Sequence, residues 1–189
     1  KNNYITFGSF NNPSKINENV IGCWAKILEK IKNSKLIFKC PSGKQQLIRI
    51  KKSLEEKRIL DSVIFHTSFD NKKDHLNLYK KVDIALDTFP YNGVTTSFEA
   101  IWMGVPVLTM AGYNFNSRCG ESINKNLGME QLIAKDEDDY VQKVLNLTNN
   151  YQDYINLRKS IFHDAIKSPL FNVDDFSKSF FEALKEIVK

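Results

Sequence analysis

Short runs of apolar and β-branched residues alternate along this chain with longer segments in which apolar residues recur every three or four positions. The short runs predict strands at Tyr4–Phe10, Lys35–Cys40, Val63–Ser68, Asp83–Leu86 and Val105–Met110. Pro106 sits second in the last of these, where a strand tolerates it. The longer segments predict helices at Asn17–Asn33, Gly43–Lys57, Lys72–Lys81, Thr95–Met103 and Ser117–Asn126. In the first helix Val20, Ile21, Trp24, Ile27, Leu28 and Ile31 fall on one stripe. After a brief strand at Gln131–Ile133 the chain turns helical, at Asp136–Leu147, Tyr151–Ile166 and, beyond Ser168-Pro169, Val173–Val188. Trp24, Trp102, Phe176, Phe180 and Phe181 sit at helical spacing and are expected in the core. Alternation of this kind predicts an α/β fold, an open parallel sheet with helices on both faces and a helical C-terminal tail, with residues 1–189 as one domain.

With 189 residues, 42% hydrophobic and 12% aromatic, the chain can bury a substantial core. No apolar run approaches the roughly 20 residues that cross a bilayer, and the first residues lack the apolar stretch of a secretory signal. The chain therefore reads as soluble and cytoplasmic, with no membrane partner. Its start without methionine, almost directly in a strand, reads as part of something longer. Cys23, Cys40 and Cys119 are odd in number and far apart, so reduced, mostly buried thiols are expected instead of a disulfide framework or a zinc site. The net charge of +5 favours an anionic partner, yet the lysine pairs at 51–52, 72–73 and 80–81 are scattered among acids, as on solvated helix faces. No aromatic and basic interleaving points to nucleic acid. The DEDD run at 136–139 reads as carboxylates in a first helical turn, where they complement the helix dipole, and no metal site is expected.

One stretch is unusual for packing alone: DTFPYNGVTTSFEAIWMGVPV, Asp87 to Val107. A strand ends, the chain turns through Pro90, Asn92 and Gly93, and a helix opens on two adjacent threonines. In an open α/β sheet ligands bind at the carboxyl ends of strands, and a helix start offers unpaired N–H groups that attract an anion. Gly93 permits close backbone approach, and Thr95 and Thr96 add hydroxyls, a set that suits a diphosphate. Glu99, one turn deeper on the same face as Thr95, suits a pair of ribose hydroxyls. The plain alternative is an ordinary Asn92-Gly93 turn, a Thr95 N-cap and a solvated Glu99. The glycine fingerprints of dinucleotide folds and P-loops are absent.

Four separated blocks carry a wider resemblance: FGSFNNPSKI, DIALDTFPYNGVTTSFEAIWMGVPVLTM, SRCGESINKNLGMEQLIAKDEDDYV and SPLFN at 168–172. Together, and in this order, they resemble the C-terminal catalytic lobe of the O-linked N-acetylglucosamine transferase and SPINDLY family. The resemblance implies the Rossmann-like, donor-binding half of a GT-B glycosyltransferase. It further implies a preceding N-terminal lobe and tetratricopeptide repeats, an acceptor protein, and inverting, metal-independent transfer of a sugar to Ser or Thr hydroxyls. The implied donor is a UDP sugar, with UDP-N-acetylglucosamine ahead of the GDP-fucose used by members related to SPINDLY. Carried over by position, the phosphate contacts fall on Asn12 and Lys15, the lysine also supporting the leaving diphosphate in catalysis. The contacts along the nucleotide fall on Lys72 and His75, those at the diphosphate on Thr95 and Thr96, and the ribose carboxylate on Glu99. The chain departs from the animal members in Asn for Gln at Asn12, Glu for Asp at Glu99 and Val for His at Val94. Arg118 suits either a cation near the cleft or an ion-pair partner. Two rival readings stay open: a noncatalytic sugar-nucleotide-binding module, and another GT-B enzyme such as a nucleotide-sugar 2-epimerase.

Overall fold

The structure is a computed structural model that describes residues 4–40, 44–67 and 71–188, apart from the side chains of Lys44 and Lys72. Six strands form one parallel sheet: β1 (Thr6–Ser9), β2 (Lys35–Lys39), β3 (Val63–His66), β4 (Ile84–Leu86), β5 (Val107–Met110) and β6 (Ile133–Ala134), in the order β3-β2-β1-β4-β5-β6. Among the described residues eight α-helices connect and flank them: α1 (Glu18–Lys30), α2 (Lys44–Glu56), α3 (Lys72–Leu78), α4 (Thr95–Trp102), α5 (Cys119–Asn126), α6 (Glu137–Asn149), α7 (Tyr151–Lys167) and α8 (Val173–Ile187).

Alternation along each strand feeds two apolar layers. Phe7, Leu36, Phe38, Ile84 and Leu86 pack with Val20, Trp24, Ile50, Leu54, Tyr140 and Val144 on one face. Ile37 and Val107 pack with Leu78, Tyr79, Ala100, Ile101, Ile123 and Ile161 on the other. Strands buried on both faces in this way explain the near-continuous apolar runs of the sequence.

Helix starts follow cap chemistry. Asn17, Asn71 and Asp136 each accept a backbone N–H from three residues on, and Asp136 does so from Asp139 within the DEDD run.

Boundaries differ from the sequence expectation where hydrogen bonding, not hydrophobicity, decides. The fifth strand begins at Val107: Pro106 lacks an N–H and only accepts, from Ala85 N at 2.9 Å. The predicted strand 131–133 is displaced, with a 3-10 turn at Glu130–Leu132 before β6 pairs Ile133 with Thr109 and Ala134 with Met110. The third helix ends at Leu78 and tightens into a 3-10 turn, Tyr79–Lys81. Gly43 and Ser68, predicted ends of elements, lie outside the described residues.

One expectation about the core is overturned. Trp24 is fully buried, but Phe176, Phe180 and Phe181 on α8 are 68%, 51% and 62% exposed, and Trp102 is 47% exposed. Trp102 still packs edge-on to Phe162 at 5.1 Å and lies 5.6 Å from Phe171. Helical spacing specifies an apolar stripe without specifying what covers it, and within this chain nothing described covers the stripe of α8. Cys23 and Cys40 are buried, Cys119 is half-buried, and no disulfide joins them. Among the described residues no helix is long and apolar enough to cross a membrane.

Candidate functional site

The site is organised around a carboxylate that the sequence reading quoted without giving it a role. Asp87, directly after β4, is only 2% exposed. A buried carboxylate is costly unless its oxygens are hydrogen-bonded. Its Oδ1 accepts from Asn11 Nδ2 at 2.8 Å, Thr88 N at 2.8 Å and Gly93 N at 2.6 Å, and its Oδ2 accepts from Thr109 Oγ1 at 2.8 Å. Burial pushes its pKa up to about 6, against the downward pull of those hydrogen bonds. The Asp87 carbonyl accepts from the buried Tyr140 hydroxyl at 2.8 Å.

The loop from 88 to 94 is thereby fixed. Asn92, wholly buried, donates to Thr88 O at 2.9 Å and accepts from Gly120 N at 3.3 Å. Gly93 is required here for close packing: a Cβ would stand 2.6 Å from Asn11 Oδ1, 2.6 Å from Thr96 Oγ1 and 2.9 Å from Ser97 Oγ. Thr95 is the first residue of α4 and not its N-cap; that position is Val94, which makes no side-chain cap. The N–H groups of Thr95, Thr96 and Ser97 precede the first intrahelical donor, Phe98 N, which reaches Val94 O at 3.0 Å, and no side chain among the described residues caps them. Thr96 Oγ1 donates inward to Asn11 Oδ1, while Thr95 is exposed.

Strand order brings the loop after β1 against this one. Asn12 caps the 3-10 turn Pro13–Lys15, its Oδ1 accepting from Ser14 N at 3.0 Å and Ser14 Oγ at 2.8 Å. The turn aims Lys15 at the second loop: Nζ donates to Asn92 O at 2.8 Å and lies 3.8 Å from the centre of the Tyr91 ring. Burial lowers the Lys15 pKa, opposed by the charge of Asp87. Asn17 Nδ2 adds a second tie, to Phe89 O at 2.7 Å.

A third group lies beside the same helix. His75 is buried, with Nε2 2.8 Å from Glu99 Oε2, and the Tyr79 hydroxyl shares its proton between that oxygen at 3.3 Å and Thr96 O at 3.1 Å. The His75 ring packs against Phe10 at 5.9 Å and Tyr79 at 5.5 Å. Burial and the Glu99 charge push the Tyr79 phenol well above its ordinary range, so it remains a donor. Glu99 is therefore a partnered carboxylate instead of a solvated helix residue. Burial lowers the pKa of Lys39, which ends β2, and the charge of Glu99 opposes that shift. The side chain of Lys72 lies outside the described residues.

Hydrogen bonds thus tie Lys15, Gly93 and Thr96 into the loops at the carboxyl edge between β1 and β4, with Thr96, Asn11 and Asp87 lining the small cavity there, and a separate contact joins His75 to Glu99. The parts played by Asn11, Tyr79 and Asp87, and by Asn92 beyond its place in the turn, are not written in the local pattern, because they depend on partners up to 77 positions away. Arg118 proves to be an ion-pair partner, with Nε 2.8 Å from Glu121 Oε2, and Lys125 Nζ reaches the other Glu121 oxygen at 2.7 Å. Among the described residues no three His, Cys, Asp or Glu side chains are grouped to hold a metal ion.

The sequence profile of glycosyl transferase family 41 matches residues 1–180. SPINDLY of Solanum lycopersicum, named as a probable UDP-N-acetylglucosamine–peptide N-acetylglucosaminyltransferase, is 37% identical over 187 residues, 94% of this chain and 19% of that protein. SPINDLY of Hordeum vulgare is 38% identical over 193 residues, 98% of this chain and 20% of that protein. The chain thus spans about a fifth of the length of these relatives. Among solved structures, the Thermobaculum terrenum O-GlcNAc transferase superposes with a TM-score of 0.89 at 27% identity, covering 98% of this chain and 36% of that one. Staphylococcus aureus TarM, at 15% identity and a TM-score of 0.71 over 95% of this chain and 35% of its own, shares the fold, which is that of a GT-B glycosyltransferase lobe.

Proposed function

Because the chain belongs to glycosyl transferase family 41, we propose that it is the donor-binding lobe of a protein glycosyltransferase, taking a nucleotide-diphosphate sugar whose glycosyl group passes to Ser or Thr hydroxyls. The observation that carries this reading is the meeting of two distant loops: Lys15 Nζ, from the loop after β1, lies 2.8 Å from Asn92 O, beside the uncapped start of α4. The strand order β2-β1-β4-β5 makes that junction the topological switch point of the sheet, where α/β proteins hold nucleotides.

In this reading the diphosphate sits on the first-turn amides of α4, with the Thr95 hydroxyl and Lys15 alongside. As the anomeric bond breaks, the departing diphosphate gains charge, and preorganised N–H, O–H and ammonium donors stabilise it. Lys15 need not move far to serve, since its hydrogen bond to Asn92 O at 2.8 Å already holds it at the loop. Charge-assisted bonds of this kind contribute roughly 1.5–3 kcal/mol each. His75 and Glu99 line the path of the nucleoside beyond the helix start, and the second Glu99 oxygen has no hydrogen-bond partner among the described residues. The preferred donor is UDP-N-acetylglucosamine, supported by the names of the relatives. The acceptor and a general base belong to parts of the protein beyond this lobe.

Calorimetric titration of the chain with UDP and with GDP tests the reading. Binding of UDP, weakened by Thr95→Val and by Lys15→Ala, is the expected result. Preference for GDP would reassign the donor, and no binding of either at millimolar concentration would remove the reading.

A further inference from the structure

The two adjacent threonines of the cradle are not equivalent, and the hydrogen-bond directions around Asn11 decide which faces the ligand. Asp87, when ionised, can only accept, so Asn11 must turn its NH2 toward it. The second Nδ2 proton goes to Thr88 Oγ1 at 3.1 Å, whose own proton is spent on Tyr91 O at 2.7 Å. With both Asn11 protons committed, its Oδ1 is the only group it can present to α4. A flipped amide would set two acceptors against each other at Asp87. Thr96 has one hydroxyl proton, and it is given to that Oδ1. Toward the crevice the Thr96 side chain retains only lone pairs, which an anionic phosphate repels. Thr95, exposed and without a partner among the described residues, keeps its proton for a ligand.

We propose that Asp87 and Asn11 are positioning residues: through Gly93 N and Thr96 Oγ1 they hold the start of α4 so that its amides face the diphosphate, with Thr95 as the hydroxyl donor and Thr96 as an anchor contributing only its amide. This rests on the donor-lobe reading above and adds to it a division of labour between Thr95 and Thr96. Asn11 and Asp87 touch no phosphate in this arrangement; they act through the helix start.

A double-mutant cycle in the intact protein tests it, with UDP or GDP, whichever the parent binds more tightly, as the probe. Thr96→Val and Asn11→Ala should each weaken binding about tenfold, and the double variant should be no weaker than the worse single variant, because both break one relay. Thr95→Val should also weaken binding about tenfold, but its effect should multiply with that of Asn11→Ala. Thr96→Ser, which keeps the hydroxyl, should bind within about twofold of the parent. Multiplying losses for Thr96→Val and Asn11→Ala, or unchanged affinity in Asn11→Ala, would overturn the relay while leaving the donor-lobe reading intact. Should Asn11→Ala fail to fold, melting without ligand decides: Thr96→Val should melt about 2–4 °C below the parent and Thr95→Val should not, and equal melting of the two overturns the proposal. A parent that binds neither nucleotide nor inorganic pyrophosphate takes down the donor-lobe reading and the relay together.

Discussion

His75 Nε2 and Glu99 Oε2 stand 2.8 Å apart, joining α3 to α4. Tyr79 reaches the same oxygen from 3.3 Å. The pair fixes the His75 ring, and in the proposed donor-lobe reading the second Glu99 oxygen, without a hydrogen-bond partner among the described residues, is the one that meets a ligand hydroxyl. Replacing Glu99 with Ala should weaken UDP binding by roughly 10- to 100-fold, the loss of a hydrogen-bonded carboxylate, while inorganic pyrophosphate binding stays within about twofold. Calorimetry with both probes reads this. Equal weakening of the two would place Glu99 at the phosphates instead.

Lys15 is held at the cradle by Asn92 O at 2.8 Å before any ligand arrives. Its ammonium should matter more as the leaving diphosphate gains charge than in the ground state. In the intact enzyme Lys15→Ala should lower kcat by about one to two orders of magnitude, with a smaller change in KM. A parent-like kcat in the variant removes Lys15 from the chemistry.

The buried Asp87 makes stability depend on pH in a set direction. Its pKa is about 6 in the folded chain against the ordinary 3.8, so the proton is held more tightly when folded. Its contribution is complete below about pH 4 and is lost as pH rises through about 6, by up to roughly 3 kcal/mol. Urea unfolding of the parent and of Asp87→Asn across this range should show the parent losing ground to the variant with rising pH. The opposite slope would mean that the four hydrogen bonds outweigh burial.

Gly93 has no room for a methyl group among Asn11, Thr96 and Ser97, the nearest contacts being 2.6 Å. The Ala variant should lose about 1–3 kcal/mol of stability and also bind nucleotide less well, since the helix start must shift. A variant with the parent's melting temperature and affinity would show that this junction yields easily.

The exposed stripe of α8 gives a contrasting expectation. Phe180, at 51% exposure, should tolerate replacement by Ser in the 189-residue chain with a stability change within about 0.5 kcal/mol. The same chain should bind nucleotide yet transfer sugar weakly or not at all, because it spans only about a fifth of the length of its relatives and in the proposed reading supplies one lobe of the acceptor cleft. Robust glycosylation by the isolated chain, in a radiolabelled transfer assay, would contradict the second expectation.

Much of this architecture was legible before any coordinates. Alternating apolar runs gave the strands and helices, because a strand covered on both faces and a helix covered on one leave different periods in the sequence. The starts of α1, α3 and α6 are also set locally, since the side chains of Asn17, Asn71 and Asp136 each accept a helix amide three positions on, although the sequence pattern placed these starts within a residue without naming the caps. Thr95 and Glu99 were singled out as candidates by local pattern, whereas Lys15 and His75 entered as candidates only through the family resemblance.

Tertiary structure alone decided which of these residues act through one another. Adjacency of β1 and β4 brings Asn11 to Asp87 and Lys15 to Asn92 over separations of 76 and 77 residues, and turns the Thr96 hydroxyl inward while leaving Thr95 outside. It also left the aromatic stripe of α8 uncovered, against the expectation of a core. Periodicity and caps act over a few residues and are written locally. The burial of a carboxylate, and the direction of the protons around it, depend on which distant segments the sheet places side by side.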